Sequence, residues 1–260
     1  MDKFEYKKSF GQNFMRDENI INKIVDSAGI DKDTLIIEIG PGAGSLSKKI
    51  IPLSGYSILY EIDTRLESVL DKELSSNDNY KIIFNDFLKQ DVSLDIKEYK
   101  YKKVYVVANL PYYITTPIIT KLMDEIYPDK IIIMIQEEVA DRLSAKHGNR
   151  EYGMISVLLG ARYDIKKLFR VNRNCFYPVP NVDSAVISLN KNNKYNIKDM
   201  KKFERLIKDS FQYKRKNLRN NLKNYNLDVI NKILQENNYN LGNRAEEIPI
   251  YVYVEIANNL

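Results

Sequence analysis

The chain has 260 residues, 44% apolar and 29% charged, with a net charge of +5 and a pI near 8.9. That length supports a sizeable core, and no run of about 18 apolar residues is present, so no membrane partner or membrane span is expected. A single cysteine, Cys175, excludes an intrachain disulfide; a single histidine, His147, excludes a histidine-rich metal centre and leaves Ser-His-Asp chemistry to one loop residue.

Met1–Lys8 lacks the apolar core of a secretory signal, which together with the lone cysteine points to a reducing cytoplasm. Asp17 is placed to cap a helix over Glu18–Ala28, with Ile20, Ile21, Ile24, Val25 and Ala28 on one face and Gly29 ending it. Strands and helices then alternate. Strands are expected at Leu35–Ile39, Ile58–Ile62, Lys81–Phe84, Tyr105–Ala108 and Ile131–Ile135. Between and after them, helices are expected at Ser45–Ile51, Leu66–Leu74, Ile118–Ile126, Glu137–Leu143 and Met154–Ala161. Two further strands follow at Lys167–Val171 and Ala185–Leu189. The alternation predicts an α/β fold of right-handed βαβ units with a mostly parallel sheet covered on both faces. It stops at the polar stretch Asn190–Lys194. Beyond that, Met200, Phe203, Leu206, Ile207, Phe211, Leu218 and Leu222 follow helical spacing. Two domains are expected, 1–192 and an all-α domain over 193–260.

The charge is not spread evenly. Residues 198–223 hold ten Lys or Arg against three acids, a local +7, while 1–197 carry +1 and 224–260 carry −3. Such a concentration is the footprint of a phosphate-backbone partner, although a solvated helix face accounts for it equally.

In an open parallel sheet, ligands bind beyond the carboxyl ends of the strands. Four such ends carry informative residues. The first strand runs into Glu38-Ile39-Gly40-Pro41-Gly42-Ala43-Gly44, where Gly40 and Gly42 allow close backbone approach. Ser45 stands where a dinucleotide fingerprint requires glycine, so a ligand without pyrophosphate is favoured over a nicotinamide cofactor. Glu61 closes the second strand, placed to accept both ribose hydroxyls; Asp86 follows the third, placed to accept from an adenine amino group. Together they point to S-adenosylmethionine. The fourth strand ends in Asn109-Leu110-Pro111-Tyr112-Tyr113, where an amide, a fixed-φ proline and aromatics suit a planar base with an exocyclic amine. Phe176, in the two-proline loop Phe176–Ser184, offers a ring for the other face of that base. Lys7 and Lys8 supply cations before the first helix.

These motifs resemble the rRNA adenine N6-dimethyltransferase family. The resemblance runs from Lys7–Met15 through Glu38–Gly44, Asn109–Tyr113, Gln136–Ala140, Glu151–Gly153, Phe176–Ser184, Lys214–Arg219 and Arg244–Glu246. It implies a class I, Rossmann-like methyltransferase sheet with a small helical C-terminal domain. The implied activity is dimethylation of two adjacent adenosines near the 3′ end of small-subunit rRNA in the immature small ribosomal subunit. It also implies cofactor contacts at Asn13, Met15, Gly40, Gly42, Glu61, Asp86 and Asn109. The target base and catalysis fall to Asn109, Leu110, Pro111, Tyr112 and Phe176. RNA contacts are expected at Lys7, Lys8, Lys214, Arg215, Lys216 and Arg219, with no metal and a monomeric chain. Phe10 and Met15 stand where the family commonly has leucine, and Ser47 where it has threonine. The related large-subunit rRNA methyltransferases of macrolide resistance usually have isoleucine where this chain has Leu110. A non-catalytic nucleic-acid-binding relative would not need Gly40, Glu61, Asp86 and Asn109 together.

Overall fold

The computed structural model describes residues 13–260. In chain order its elements are β1 Phe14–Met15, α1 Glu18–Ala28, β2 Thr34–Ile39, α2 Ser47–Ile50, β3 Tyr56–Glu61, α3 Glu67–Leu74, β4 Tyr80–Phe84, α4 Val92–Asp95, β5 Lys103–Asn109 and α5 Thr115–Glu125. There follow β6 Lys130–Gln136, α6 Glu137–Ser144, α7 Met154–Gly160, β7 Tyr163–Val171, β8 Phe176–Tyr177, β9 Ser184–Lys191, α8 Met200–Ser210, α9 Leu218–Asn221, α10 Leu227–Glu236 and α11 Ile250–Asn259.

Every residue of β2 is buried, and β5 and β6 are buried at all but their ends, as strands covered on both faces must be. β1 and β8 form a separate pair, and the other strands described form one sheet in the order β4-β3-β2-β5-β6-β9-β7. β2 is parallel to β3 and β5, β3 to β4, and β5 to β6, whereas β9 is antiparallel to β6. Chain order reverses between β2 and β5, so the crevice at their carboxyl ends is the place to look for a ligand. The α/β expectation holds.

The described residues cluster into two units, 13–137 with 166–190, and 138–165 with 191–260. In the first, Asp17 caps α1 by accepting from the N–H groups of Asn19 and Ile20, and Gly29 ends it in the left-handed region. Ile21, Ile24, Val25 and Ala28 then pack with Ile36, Val107, Ile132 and Val186 of the sheet. In the second, Asp199 caps α8, and Phe203, Leu206 and Ile207 join Leu218, Ile230, Leu234, Tyr253 and Ile256 in one core. Tyr152, Val157 and Ala161 belong to the same core, so residues 138–165 pack with the C-terminal helices. The boundary read near residue 192 falls beside the final crossing between the units.

The helix expected over Ser45–Ile51 is a single turn, Ser47–Ile50, because Gly44 takes a positive φ and its N–H donates to the Pro41 carbonyl at 2.9 Å. β7 begins four residues earlier than its apolar run suggests.

Candidate active site

The glycine loop follows directly from β2. Gly40, Gly42 and Gly44 all take left-handed φ values of 71°, 58° and 79°. The Gly40 N–H donates to the Tyr60 carbonyl at 2.8 Å, tying the loop to the end of β3. A Cβ on Gly42 would lie 2.7 Å from the Phe14 ring, so glycine is what lets that ring cover the loop.

Glu61 ends β3 almost fully buried. One carboxylate oxygen accepts from the Gly42 N–H at 3.1 Å and the other from the Asp63 N–H at 2.9 Å. Each oxygen keeps further acceptor capacity. Burial raises the Glu61 pKa, and the N–H groups of Asp63, Gly42 and Ile62 pull it back. Asp86 caps the short turn Phe87–Lys89 by accepting from the Leu88 N–H at 3.0 Å and remains partly exposed.

Glu38, inside β2, is 2% exposed. Burial pushes its carboxyl up to about 8; the nearby Ser47 hydroxyl favours the charged form, and the Glu61 charge opposes it. Neither Glu38 Oε2 nor Ser47 Oγ completes a hydrogen bond of good geometry. A buried carboxyl oxygen left this way is costly unless a ligand or water serves it.

Asn109 is the last residue of β5. Its Nδ2 donates to the Asn13 carbonyl at 3.1 Å, and the Leu110 N–H donates to the Met134 carbonyl at 3.1 Å. Pro111 turns the chain into Tyr112–Ile114, and the Tyr112 hydroxyl meets Ser184 Oγ at 2.7 Å. Burial raises the Tyr112 pKa, so the phenol stays neutral. Ser184 starts β9, next to Asp183, whose carboxylate takes the Arg173 N–H at 2.9 Å and Arg170 Nη2 at 2.6 Å. Those donors hold Asp183 below the usual carboxylate range. Arg170 reaches Glu137 as well, at 2.9 Å, so one guanidinium ties Asp183, the neighbour of Ser184, to the start of α6.

One cleft of about 1030 Å³, its open mouth included, gathers these residues. Asn13, Met15, Gly40, Gly42, Glu61, Asp86, Asn109, Leu110, Pro111 and Tyr112 all line it, along with Phe14, Glu38, Tyr60 and Phe87. Seven expected cofactor positions and four of the five expected catalytic positions therefore share one wall-to-wall space. Phe176 does not join them. It is 2% exposed and packs with Met15, Ile21, Ile24 and Val171, because β8 turns that side chain inward against the apolar face of α1. The ring read as a base-stacking partner is a core residue in this conformation. Lys7 and Lys8 lie outside the described residues. Lys214, Arg215, Lys216 and Arg219 are exposed around the turn between α8 and α9, and none is in an ion pair among the described residues.

A family model described as ribosomal RNA adenine dimethylase matches residues 3–260. The chain belongs to the ribosomal RNA adenine dimethylase family. It is 41% identical to the ribosomal RNA small subunit methyltransferase A of Bacillus licheniformis, over 99% of this chain and 92% of that one. It is also 41% identical to the protein of the same name from Mesoplasma florum, over 98% of both chains. Among solved structures, a dimethyladenosine transferase from Plasmodium falciparum superposes with a TM-score of 0.77 at 23% identity, covering 94% of this chain and 95% of that one. The 23S rRNA methyltransferase ErmE does so at 0.78 and 22%, covering 95% and 99%. At those identities the structures establish a shared class I methyltransferase fold.

Sequence reading singled out neither Phe14 nor Tyr60 among the residues that line the dimethylase cleft. Phe14 covers Gly42, and Tyr60, tied to Asp95 at 2.8 Å, backs the floor. A strand of two residues has no periodicity to detect, and a tyrosine inside an apolar strand reads as ordinary core.

Proposed function

We propose that this protein transfers methyl groups from S-adenosylmethionine to N6 of two adjacent adenosines near the 3′ end of small-subunit rRNA, acting on the immature small subunit. One observation carries the reading. Asn109–Tyr112 share a cleft with Gly40–Gly44, Glu61 and Asp86 in a chain 41% identical, over nearly all its length, to proteins named small subunit methyltransferase A. No helix among the described residues is long and apolar enough to cross a membrane. We place it in the cytoplasm, where the lone Cys175 stays reduced, and read it as a monomer.

The residues suit the cofactor. Gly40 leaves open space where a side chain would stand, Glu61 offers acceptor capacity for ribose hydroxyls, and Asp86 offers it for an adenine amino group. Glu38 places a buried, unpartnered carboxyl oxygen on the same cleft. When bound, S-adenosylmethionine supplies an electrophilic methyl carbon.

The chain's own residues do the rest. An adenine amino nitrogen is a poor nucleophile because its lone pair is delocalised into the ring. With Nδ2 held by Asn13, Asn109 Oδ1 is the end of the amide left to accept from N6–H. The Leu110 carbonyl is the second acceptor, and two acceptors together favour a pyramidal nitrogen that presents its lone pair. Tyr112, pinned by Ser184, supplies an aromatic face for the base. Positioning is the main source of rate, and the proton leaves to water after attack.

The test uses tritiated methyl donor with small- and large-subunit particles from a strain lacking the modification. Label on two adjacent adenosines of the small subunit alone is expected. Label on large-subunit rRNA would transfer the reading to the resistance branch, and no label together with no calorimetric cofactor binding would end the enzymatic one.

A further inference from the structure

The antiparallel pair β1–β8 has the register Phe14 opposite Tyr177 and Met15 opposite Phe176. Alternate residues of a strand face opposite sides, so Phe14 and Tyr177 share one face and Met15 and Phe176 the other. The second face is core: Met15 is 8% and Phe176 2% exposed. The first is not. Phe14 lines the cleft over Gly42, while Tyr177 is 44% exposed.

Directly opposite residues in such a pair have Cβ atoms about 5 Å apart, which puts Tyr177 within one nucleotide's reach of the cleft wall. Arg16 completes the surface. Its guanidinium lies 4.1 Å from the centre of the Tyr177 ring, and its backbone N–H donates to the Cys175 carbonyl at 3.0 Å, which extends the ribbon. The Arg16 side chain is exposed and enters no ion pair among the described residues.

A guanidinium over an exposed aromatic ring, paired across one strand from the cleft-lining Phe14, matches what unstacked single-stranded RNA uses. The ring and the guanidinium offer a surface for a base, and the cation faces a neighbouring phosphate. We propose that Tyr177 and Arg16 seat the RNA nucleotide adjacent to the target adenosine while that adenosine occupies the cleft. The proposal rests on the functional reading above and adds a second nucleotide site to it. For a substrate of two adjacent adenosines, it gives the waiting base a place next to the reacting one.

Methyl-transfer kinetics on unmethylated small subunits test it, with wild type, Tyr177→Ala, Tyr177→Phe and Arg16→Gln. Tyr177→Ala is expected to raise KM for the particle about tenfold with kcat within twofold of wild type, and Tyr177→Phe to restore KM. Arg16→Gln should raise KM and lower its log–log salt slope by about one. Calorimetric cofactor affinity should stay unchanged in all three. The proposal is overturned by an unchanged KM in Tyr177→Ala, by Tyr177→Phe behaving like alanine, or by cofactor affinity falling in step with KM. A wild-type protein that methylates no small subunit removes the functional reading and this proposal with it, and is recognised because the defect precedes any substitution.

Discussion

The Asn109 side chain donates Nδ2 to the Asn13 carbonyl at 3.1 Å, and that bond leaves Oδ1 as the accepting end of the amide. With the nitrogen engaged, Oδ1 is the acceptor left beside Leu110 and Tyr112. Asn109→Ala should therefore lower the single-turnover methyl-transfer rate by about 100-fold or more, in the range of other preorganised polar contacts. Cofactor affinity, read by calorimetry, is expected to stay within a few-fold. An equal loss of both would assign Asn109 to the cofactor alone.

The Tyr112 hydroxyl is held by Ser184 Oγ at 2.7 Å. Ser184→Ala removes the hydrogen bond that fixes the phenol end. About 1 kcal/mol of stability should go with it, seen in a denaturant melt. Methyl transfer should fall about tenfold, since small misplacements of a positioning group are costly in rate. Ser184→Thr keeps the hydroxyl and should restore the rate. A threonine variant as slow as the alanine one would show that Ser184 serves packing only.

Why some of this was readable in the sequence and some was not follows from the reach of each signal. α1 was legible to the residue because Asp17 and Gly29 punctuate it locally, and β2, β3, β5 and β6 because buried parallel strands are continuous apolar runs. Gly40, Glu61, Asp86 and Asn109 were legible because topology places strand ends together whatever the side chains do. Phe176 was not. Its neighbours in sequence suggested a loop beside the cleft, but a two-residue pairing with Met15 turns its ring into the core. The same pairing turns Tyr177 outward. A choice of face set by one register, through partners some 160 residues away, leaves no periodic trace along the chain.

Gly42 and Gly40 separate strain from sterics. Both have left-handed φ, so alanine at either should cost about 1–2 kcal/mol of stability. At Gly40 nothing lies within 4 Å of the added methyl, whereas at Gly42 it meets the Phe14 ring at 2.7 Å. Gly42→Ala should thus lift Phe14 and weaken cofactor binding more than Gly40→Ala does. Phe14→Ala in the Gly42→Ala background should recover part of that affinity, as titration calorimetry would record.

Glu38 predicts a pH effect with a definite sign. Burial raises its folded-state pKa to about 8, from an ordinary value of 4.5. Folding then favours the protonated form, so its contribution is full below about 4.5 and is lost as pH rises towards 8. Glu38→Gln cannot ionise. Its melting temperature should match wild type near pH 4.5 and exceed it increasingly up to pH 8. A cationic ligand in the cleft should also favour the carboxylate, so cofactor binding at pH 7 is expected to release protons. Calorimetry in buffers of different ionisation enthalpy measures that release, and Glu38→Gln should abolish it.

Lys214, Arg215, Lys216 and Arg219 are four of the ten cations in the strong local excess of charge over 198–223, and they stand exposed around a short turn with no acid paired to them among the described residues. If they contact phosphates, each neutralised residue removes one released counterion. Replacing all four with glutamine should weaken binding to small-subunit particles and flatten the log–log dependence on salt by roughly 0.7–0.9 per lost contact. Because the buried core of that unit, Phe203, Leu218 and Leu234 among it, is untouched, the melting temperature should hold. Cofactor affinity should hold too, since none of the four lines the cleft. An unchanged salt slope would make the cluster a solvated surface, and the rRNA contacts would then have to come from elsewhere on the protein.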